Sequence, residues 1–159
     1  MISDGIDDLF ELTALYRTAR EALELMMDRR FHGGNVCTVA QLRTPLLLKE
    51  LEGRSNLIAK EIRELAAHDK KKDTQYCETL YHYLTCCRSL KKTCDALFTH
   101  RNTVLYRIRR IEDDFAIPLD EPAAHADLLV GVSLLLFKEK GPDFFLHSVD
   151  HNDREEQES

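Results

Sequence analysis

The tightest constraint on this chain is the spacing of apolar side chains between Arg101 and Phe115. Val104, Ile108, Ile111 and Phe115 follow one another at steps of four, three and four. At about 100° per residue these positions fall on one narrow stripe of a helix, and that stripe must be buried. Thr103, Tyr106, Arg107, Arg109 and Arg110 occupy the remaining arc. Upstream, Leu90–Phe98 carries a shorter helical pattern, and Thr99-His100 breaks the apolar rhythm between the two. A short helix, a sharp turn and a second helix with an apolar back and an arginine-rich front are what a helix-turn-helix requires. Arginine suits such a front because its planar fork matches both phosphate oxygens and guanine edges. The plain alternative for Arg107, Arg109 and Arg110 is a solvated helix face.

Charge distribution separates these readings better than total charge. The whole chain carries −6, which by itself speaks against a polyanionic partner. Residues 88–111, however, hold seven basic side chains (Arg88, Lys91, Lys92, Arg101, Arg107, Arg109, Arg110) and one acid, Asp95, for a net +6. Residues 112–159 hold thirteen acids and three bases, for −10. A phosphate backbone feels the local field, because salt screens charges beyond about 8–10 Å.

The other function classes find little support. The five cysteines are odd in number, contain no C-x-x-C and include the adjacent pair Cys86-Cys87. That is no disulfide framework, and it suits a reducing cytoplasm. His82 and Cys86 share a helical face at i,i+4 and invite a metal, but no second ligand pair lies near in sequence. Packing is the commoner use of such residues. The most apolar run, Leu128–Phe137, is about half the length that crosses a bilayer. No basic leader followed by an apolar segment opens the chain. No nucleophile elbow, H-E-x-x-H, phosphate loop or dinucleotide fingerprint is present. The chain reads as neither an enzyme nor a cofactor carrier.

Local signals predict the remaining elements. A helix runs from Thr13, its N-cap, to about Arg30, with Leu15, Ala19, Ala22, Leu23 and Met26 inward. His32-Gly33-Gly34-Asn35 is a turn. Val36–Val39 is a short β-prone run, and Thr44-Pro45 opens a helix that ends at Gly53. Ser55 caps a helix to about His68, with Leu57, Ile58, Ile62 and Leu65 inward. Asp69–Asp73 is a charged, solvated break. Thr74 starts a helix through Cys86 or Cys87. Asp120-Glu121-Pro122 opens a last helix to about Lys138, capped by Asp120. It is apolar nearly all round, so it is either central or half of an interface. Residues 150–159 are acidic, lack apolar anchors and read as disordered.

The string His100-Arg101-Asn102-Thr103-Val104-x-Tyr106-Arg107-Ile108-x-Arg110-Ile111, with Ala96 four residues before His100, closely resembles the C-terminal DNA-binding domain of PucR-type (CdaR-like) bacterial transcription regulators. The turn and second helix are also similar to those of Fis-type proteins. The resemblance extends from Leu65-Ala66-x-His68-Asp69, through Glu78-Thr79-Leu80-x-x-Tyr83-Leu84, to Leu119-Asp120. A weaker likeness covers Leu9-x-Glu11-Leu12-x-x-x-Tyr16-x-x-Ala19-x-x-Ala22-Leu23. It looks like the end of the sensor-side, cyclase-related domain that precedes the DNA-binding domain in those regulators. The sequence departs from the family pattern at Ala116, where Gly is usual, and at His125, where an Arg is usual.

The resemblance implies a mostly α fold: a helical bundle containing a Fis-like helix-turn-helix, with a short N-terminal α/β remnant. It implies residues 1–53 as the sensor-domain tail, 54–140 as the DNA-binding domain and 141–159 as an acidic tail. Carried over by position, Arg101, Thr103 and Arg107 read bases in the major groove, with Asn102 and Tyr106 beside them. Arg107 is placed to fork onto a guanine. Arg109, Arg110, Lys91 and Lys92 hold phosphates, and His100 serves the turn or a phosphate. The implied partners are double-stranded DNA, a second copy of the chain, and a small effector sensed by an upstream domain, in a bacterial cytoplasm and on the nucleoid when bound. A helical interaction module without DNA binding is the second reading, motivated by the acidic flanks. An enzyme fragment is the third.

Overall fold

The computed structural model describes residues 12–27 and 38–147. All regular elements among them are helical: α1 (Leu12–Met26), α2 (Val39–Leu51), α3 (Lys60–Lys72), α4 (Tyr76–Thr85), α5 (Leu90–Leu97), α6 (Arg101–Phe115), α7 (His125–Lys140) and α8 (Asp143–His147). Single 3-10 turns at Ser55–Leu57 and Pro122–Ala124 precede α3 and α7. The chain divides into two compact units, one of residues 53–136 and one of residues 1–52 with 137–159.

The unit of residues 53–136 is a helical bundle. Helices α3, α4 and α6 pack against one another, and α5 lies against α4 and α6. Its centre holds Ile62, Leu65, Leu80, Leu84, Val104, Ile111 and Val132, all essentially without solvent contact. The apolar stripe of α6 lies where the spacing puts it: Val104, Ile108 and Ile111 are buried. Phe115, half-buried, meets the rings of His68 and Tyr76 edge-on. Gly131, in the middle of α7, is buried against Ile58 and against Ile62 of α3, where a Cβ would stand at ordinary contact distance, 3.4 Å from Ile58 Cγ2 and 3.7 Å from Ile62 Cγ2.

Several expected boundaries move, each for a visible reason. Helix α3 does not start at Ser55. A 3-10 turn occupies 55–57, leaves Leu57 exposed, and the α-helix begins at Lys60. Nor does α3 stop at His68: it runs on through Lys70, Lys71 and Lys72, which are solvated as expected, whereas Asp69 is a buried cap. Asp69 is 8% exposed. Its carboxylate accepts the N–H of Tyr76 at 2.9 Å, the N–H of Cys77 at 2.7 Å and the hydroxyl of Thr74. An acceptor from the preceding helix thus satisfies the first N–H groups of α4, which its own N-cap residue Gln75 does not. Asp120 does not cap the last helix. Glu121 holds the N-cap of the 3-10 turn, without a side-chain bond, and Asp120 faces Arg88 instead.

In the other unit α1 packs on α2, and α2 on α8. The α/β remnant expected at the N-terminus is not there among the described residues. Val36 and Cys37 of the β-prone run lie outside those residues, as do the turn at 32–35 and the tail at 150–159. Thr38 is the N-cap of α2 and Val39 its first residue. The Thr38 hydroxyl accepts from the Gln41 N–H, and the Gln41 side chain accepts from the Thr38 N–H. This capping box starts the helix a turn and a half before Pro45 and overrides the β preference of the run. Pro45 is buried inside α2 and not at its start. In α1 the buried residues are Ala22 and Leu25, whereas Leu23 faces solvent. Residues 143–147 of the expected tail form α8, with the Phe145 ring 6.2 Å from that of Phe137.

Candidate nucleic-acid interface

The turn that shapes the site is built without glycine. Helix α5 starts at Ser89, whose hydroxyl accepts from the Lys92 N–H, and ends at Phe98 in a left-handed conformation, φ 48°. The Phe98 N–H bonds the Asp95 carbonyl and the Thr99 N–H bonds that of Cys94 at 3.0 Å, so two orphan carbonyls of α5 are satisfied. The Thr99 hydroxyl donates to the Leu97 carbonyl at 2.9 Å. His100 then takes the N-cap of α6. Its carbonyl receives the N–H groups of Thr103 and Val104, while its ring makes no capping bond and is exposed. The expected service of His100 to the turn is therefore a backbone one.

The first turn of α6 presents Arg101, Asn102 and Thr103 to solvent, and Tyr106 follows them at 57% exposure. These side chains surround the positive end of the helix dipole, which favours anions. Arg109 is exposed on the same helix. Arg110 pairs with Asp114 at 2.9 Å, and this carboxylate, first among the causes, pushes the Arg110 guanidinium further up. Both side chains keep solvent contact, at 48% and 34% exposure, so the pair contributes little and can be exchanged for another anion. Lys91 and Lys92 are exposed on the first turn of α5. Phe98, 87% exposed, stands at the corner between the two helices.

Arg107 has a different setting. It is half-buried, and its guanidinium turns back to α4. Nη1 donates to the Thr79 hydroxyl at 3.2 Å and Nη2 to the Gln75 side-chain carbonyl at 3.0 Å. The Thr79 hydroxyl donates in turn to the Gln75 backbone carbonyl at 2.7 Å. Helical geometry explains the choice. Arg107 lies about 70° from the centre of the buried stripe, whereas Asn102, Tyr106, Arg109 and Arg110 lie roughly 130–170° from it.

At the other end of the motif, Arg88 reaches from the α4–α5 corner to the Leu119 carbonyl at 3.0 Å, with Asp120 at 3.8 Å. Cys87 and Arg88 both adopt positive φ, 52° and 62°, to make that corner. Ala116 ends α6 with φ 51°, the left-handed conformation that the usual Gly would take without strain. Burial pushes the thiol of Cys86 up, as it does the Tyr83 hydroxyl and the Glu112 carboxyl. Among the described residues no three His, Cys, Asp or Glu side chains gather as a metal group would need. His82 rests edge-on against Tyr81. The sequence offered no local sign of Asp69, Gln75, Thr79 or Arg88 as participants, because their partners lie between five and 32 residues away.

Two helices joined by a glycine-free corner, with a basic second helix carried on α3 and α4, define a helix-turn-helix domain. Residues 76–134 match the PucR C-terminal helix-turn-helix domain. The chain is also 29% identical, over 135 residues, to the proline-responsive transcriptional activator PutR of Bacillus subtilis (strain 168). That likeness covers 81% of this chain and 32% of the relative, so the chain spans about a third of that protein's length. No solved structure matches the chain. Among the described residues no helix is long and apolar enough to cross a membrane.

Proposed function

We propose that the chain is the DNA-binding part of a bacterial transcription regulator of the PucR type and has no catalytic role of its own. The carrying observation is the exposed first turn of α6 on a PucR-type scaffold. Arg101, Asn102, Thr103 and Tyr106 are the groups offered to base edges. Lys91, Lys92, Arg109 and Arg110 flank them as phosphate contacts, which fix register and carry no sequence information. Residues 1–53 are read as the end of the region that precedes the DNA-binding domain. A small effector is sensed further upstream, and the protein works in the cytoplasm, on the nucleoid when bound.

The working form in this reading is a homodimer. One recognition helix reads only a few base pairs, and two of them about 34 Å apart read a pseudo-palindrome. Support from α7 is narrower than its composition suggests. Leu128, Val132, Leu134, Leu136 and Phe137 are buried, and Val130, at 48%, is the apolar side chain of that run most open to a partner.

Selection of bound fragments from a random duplex pool, followed by a salt titration on the winner, tests the reading. With about four phosphates neutralised, affinity should fall on the order of a hundredfold between roughly 50 and 200 mM salt. Failure to retain any duplex at the lower salt would leave the domain as an interaction module. Sedimentation equilibrium with and without the selected duplex checks the dimer; a strict monomer in both would exclude it.

A further inference from the structure

The arginine that best fits a base reader by position is the one whose guanidinium is already engaged. Arg107 bridges two acceptors on α4, and both lie at that helix's N-terminal end. The Thr79 hydroxyl is fully buried, so its bond to Arg107 is not one that water replaces at the surface. The same end of α4 is held from the opposite side by Asp69 of α3, through the N–H groups of Tyr76 and Cys77. The first turn of α4 is therefore held by α3, and Arg107 is the forked polar link by which the recognition helix joins it, beside a single side-chain bond from Arg110 to Tyr76. The buried contact of α6 with the bundle is made by Val104, Ile108 and Ile111. Apolar contacts set distance well but resist rotation and sliding poorly, because they are non-directional. A forked guanidinium on two fixed oxygens is directional.

We propose that Arg107 is a positioning residue. Held by Thr79 and Gln75, it sets the rotation of α6 about its axis, and so the aim of Arg101, Asn102, Thr103 and Tyr106, without itself touching a base. The inference rests on the DNA-binding reading above. It assigns Gln75 and Thr79, on a helix that carries no reading side chain, to the specificity of the site.

The test uses the duplex that the parent chain selects from a random pool. Arg107→Ala, Arg107→Lys, Gln75→Ala and the double variant Gln75→Ala/Arg107→Ala are measured for affinity, base preference at each position and salt slope. Arg107→Ala should weaken specific binding by roughly tenfold, the size of a typical coupling between bonded neighbours. Preference at every base pair should keep its order, and the salt slope should not change, because no base or phosphate contact is lost. Gln75→Ala should reproduce part of the loss and add little to Arg107→Ala. Arg107→Lys keeps the charge but not the fork, and should resemble Ala. Thermal melts of the same four proteins follow the strut without DNA, and there too the two single losses should not add.

Relaxed preference at one base pair would make Arg107 a reader and overturn the proposal. So would a salt slope lower by about one unit, which would make it a phosphate contact, or full additivity with Gln75→Ala. If the parent selects no duplex at all, the DNA-binding reading fails and this inference falls with it. Selection by the parent together with any of the three contrary results rejects the role of Arg107 alone.

Discussion

Asp69→Ala isolates one device on which the recognition helix depends. The carboxylate is buried and accepts three bonds, two of them from the backbone N–H groups of Tyr76 and Cys77. Removing it leaves those two donors without a partner at the start of α4, where water has little access. An N-cap replaced by Ala costs about 0.5–2 kcal/mol, and a bond to a charged acceptor contributes about 1.5–3 kcal/mol. Because one carboxylate serves the whole turn, these figures overlap and do not add. The expected loss is about 2–4 kcal/mol. Asp69→Asn keeps one acceptor oxygen and should lose about half as much. Urea unfolding followed by far-ultraviolet circular dichroism gives both values, with an unchanged m-value as the sign that only stability moved. A loss under about 0.5 kcal/mol for the Ala variant would refute the reasoning, since it would mean that water or Gln75 caps α4 equally well. An Asn variant weaker than the Ala variant would refute it as well, because the carboxylate would then be doing something other than accepting bonds.

Ile108→Ala removes a buried side chain from the middle of the α6 stripe and should cost about 2–5 kcal/mol, read from the same unfolding curves. Ala116→Gly should stabilise by about 0.5–1 kcal/mol, because φ 51° strains any residue with a Cβ; a loss of stability would contradict the left-handed cap. Burial, then Asp120 and Asp113, push the Glu112 carboxyl up from 4.5. The folded state then holds that proton more firmly than the unfolded state, so the contribution of Glu112 falls as pH rises through the window just above 4.5. Glu112→Gln should therefore be the more stable protein at about pH 7, with the difference closing towards about pH 4, as thermal melts across that range would show.

The parts of the site that follow a local period were legible in the sequence. The stripe Val104, Ile108, Ile111 gives the phase of α6, and that phase puts Asn102, Thr103 and Tyr106 outside without further information. The break at Thr99-His100 gives the corner, although its left-handed residue is Phe98, which no propensity would choose. What could not be read depends on partners distant in sequence. The helical phase sets Arg107 nearer the bundle than Arg110, but that Gln75 and Thr79 stand there to take its guanidinium is not in the local sequence. Asp69 looked like part of a solvated run because its neighbours are lysines, and only the fold shows that its side chain points the other way. Of the strand expected at Val36–Val39, Thr38 is extended with a single β-bridge and Val39 already begins α2, because a capping box and a β preference compete there and the cap offers two hydrogen bonds at once.

The Arg88 bond to the Leu119 carbonyl closes a loop of residues 31 apart that contains all of α5 and α6. Closing such a loop in a free chain costs about 3 kcal/mol of entropy, so this bond is a poor place for folding to begin. Contacts of α4 with α5 and of α5 with α6 span shorter stretches and shrink the loop before its ends meet. The clamp therefore belongs to the late side of the folding barrier. A bond made after the barrier hardly changes how fast the domain forms and mainly slows how fast it opens. Arg88→Ala is therefore expected to speed unfolding in stopped-flow measurements while leaving the folding rate nearly unchanged; a folding rate slowed in proportion to the lost stability would refute this.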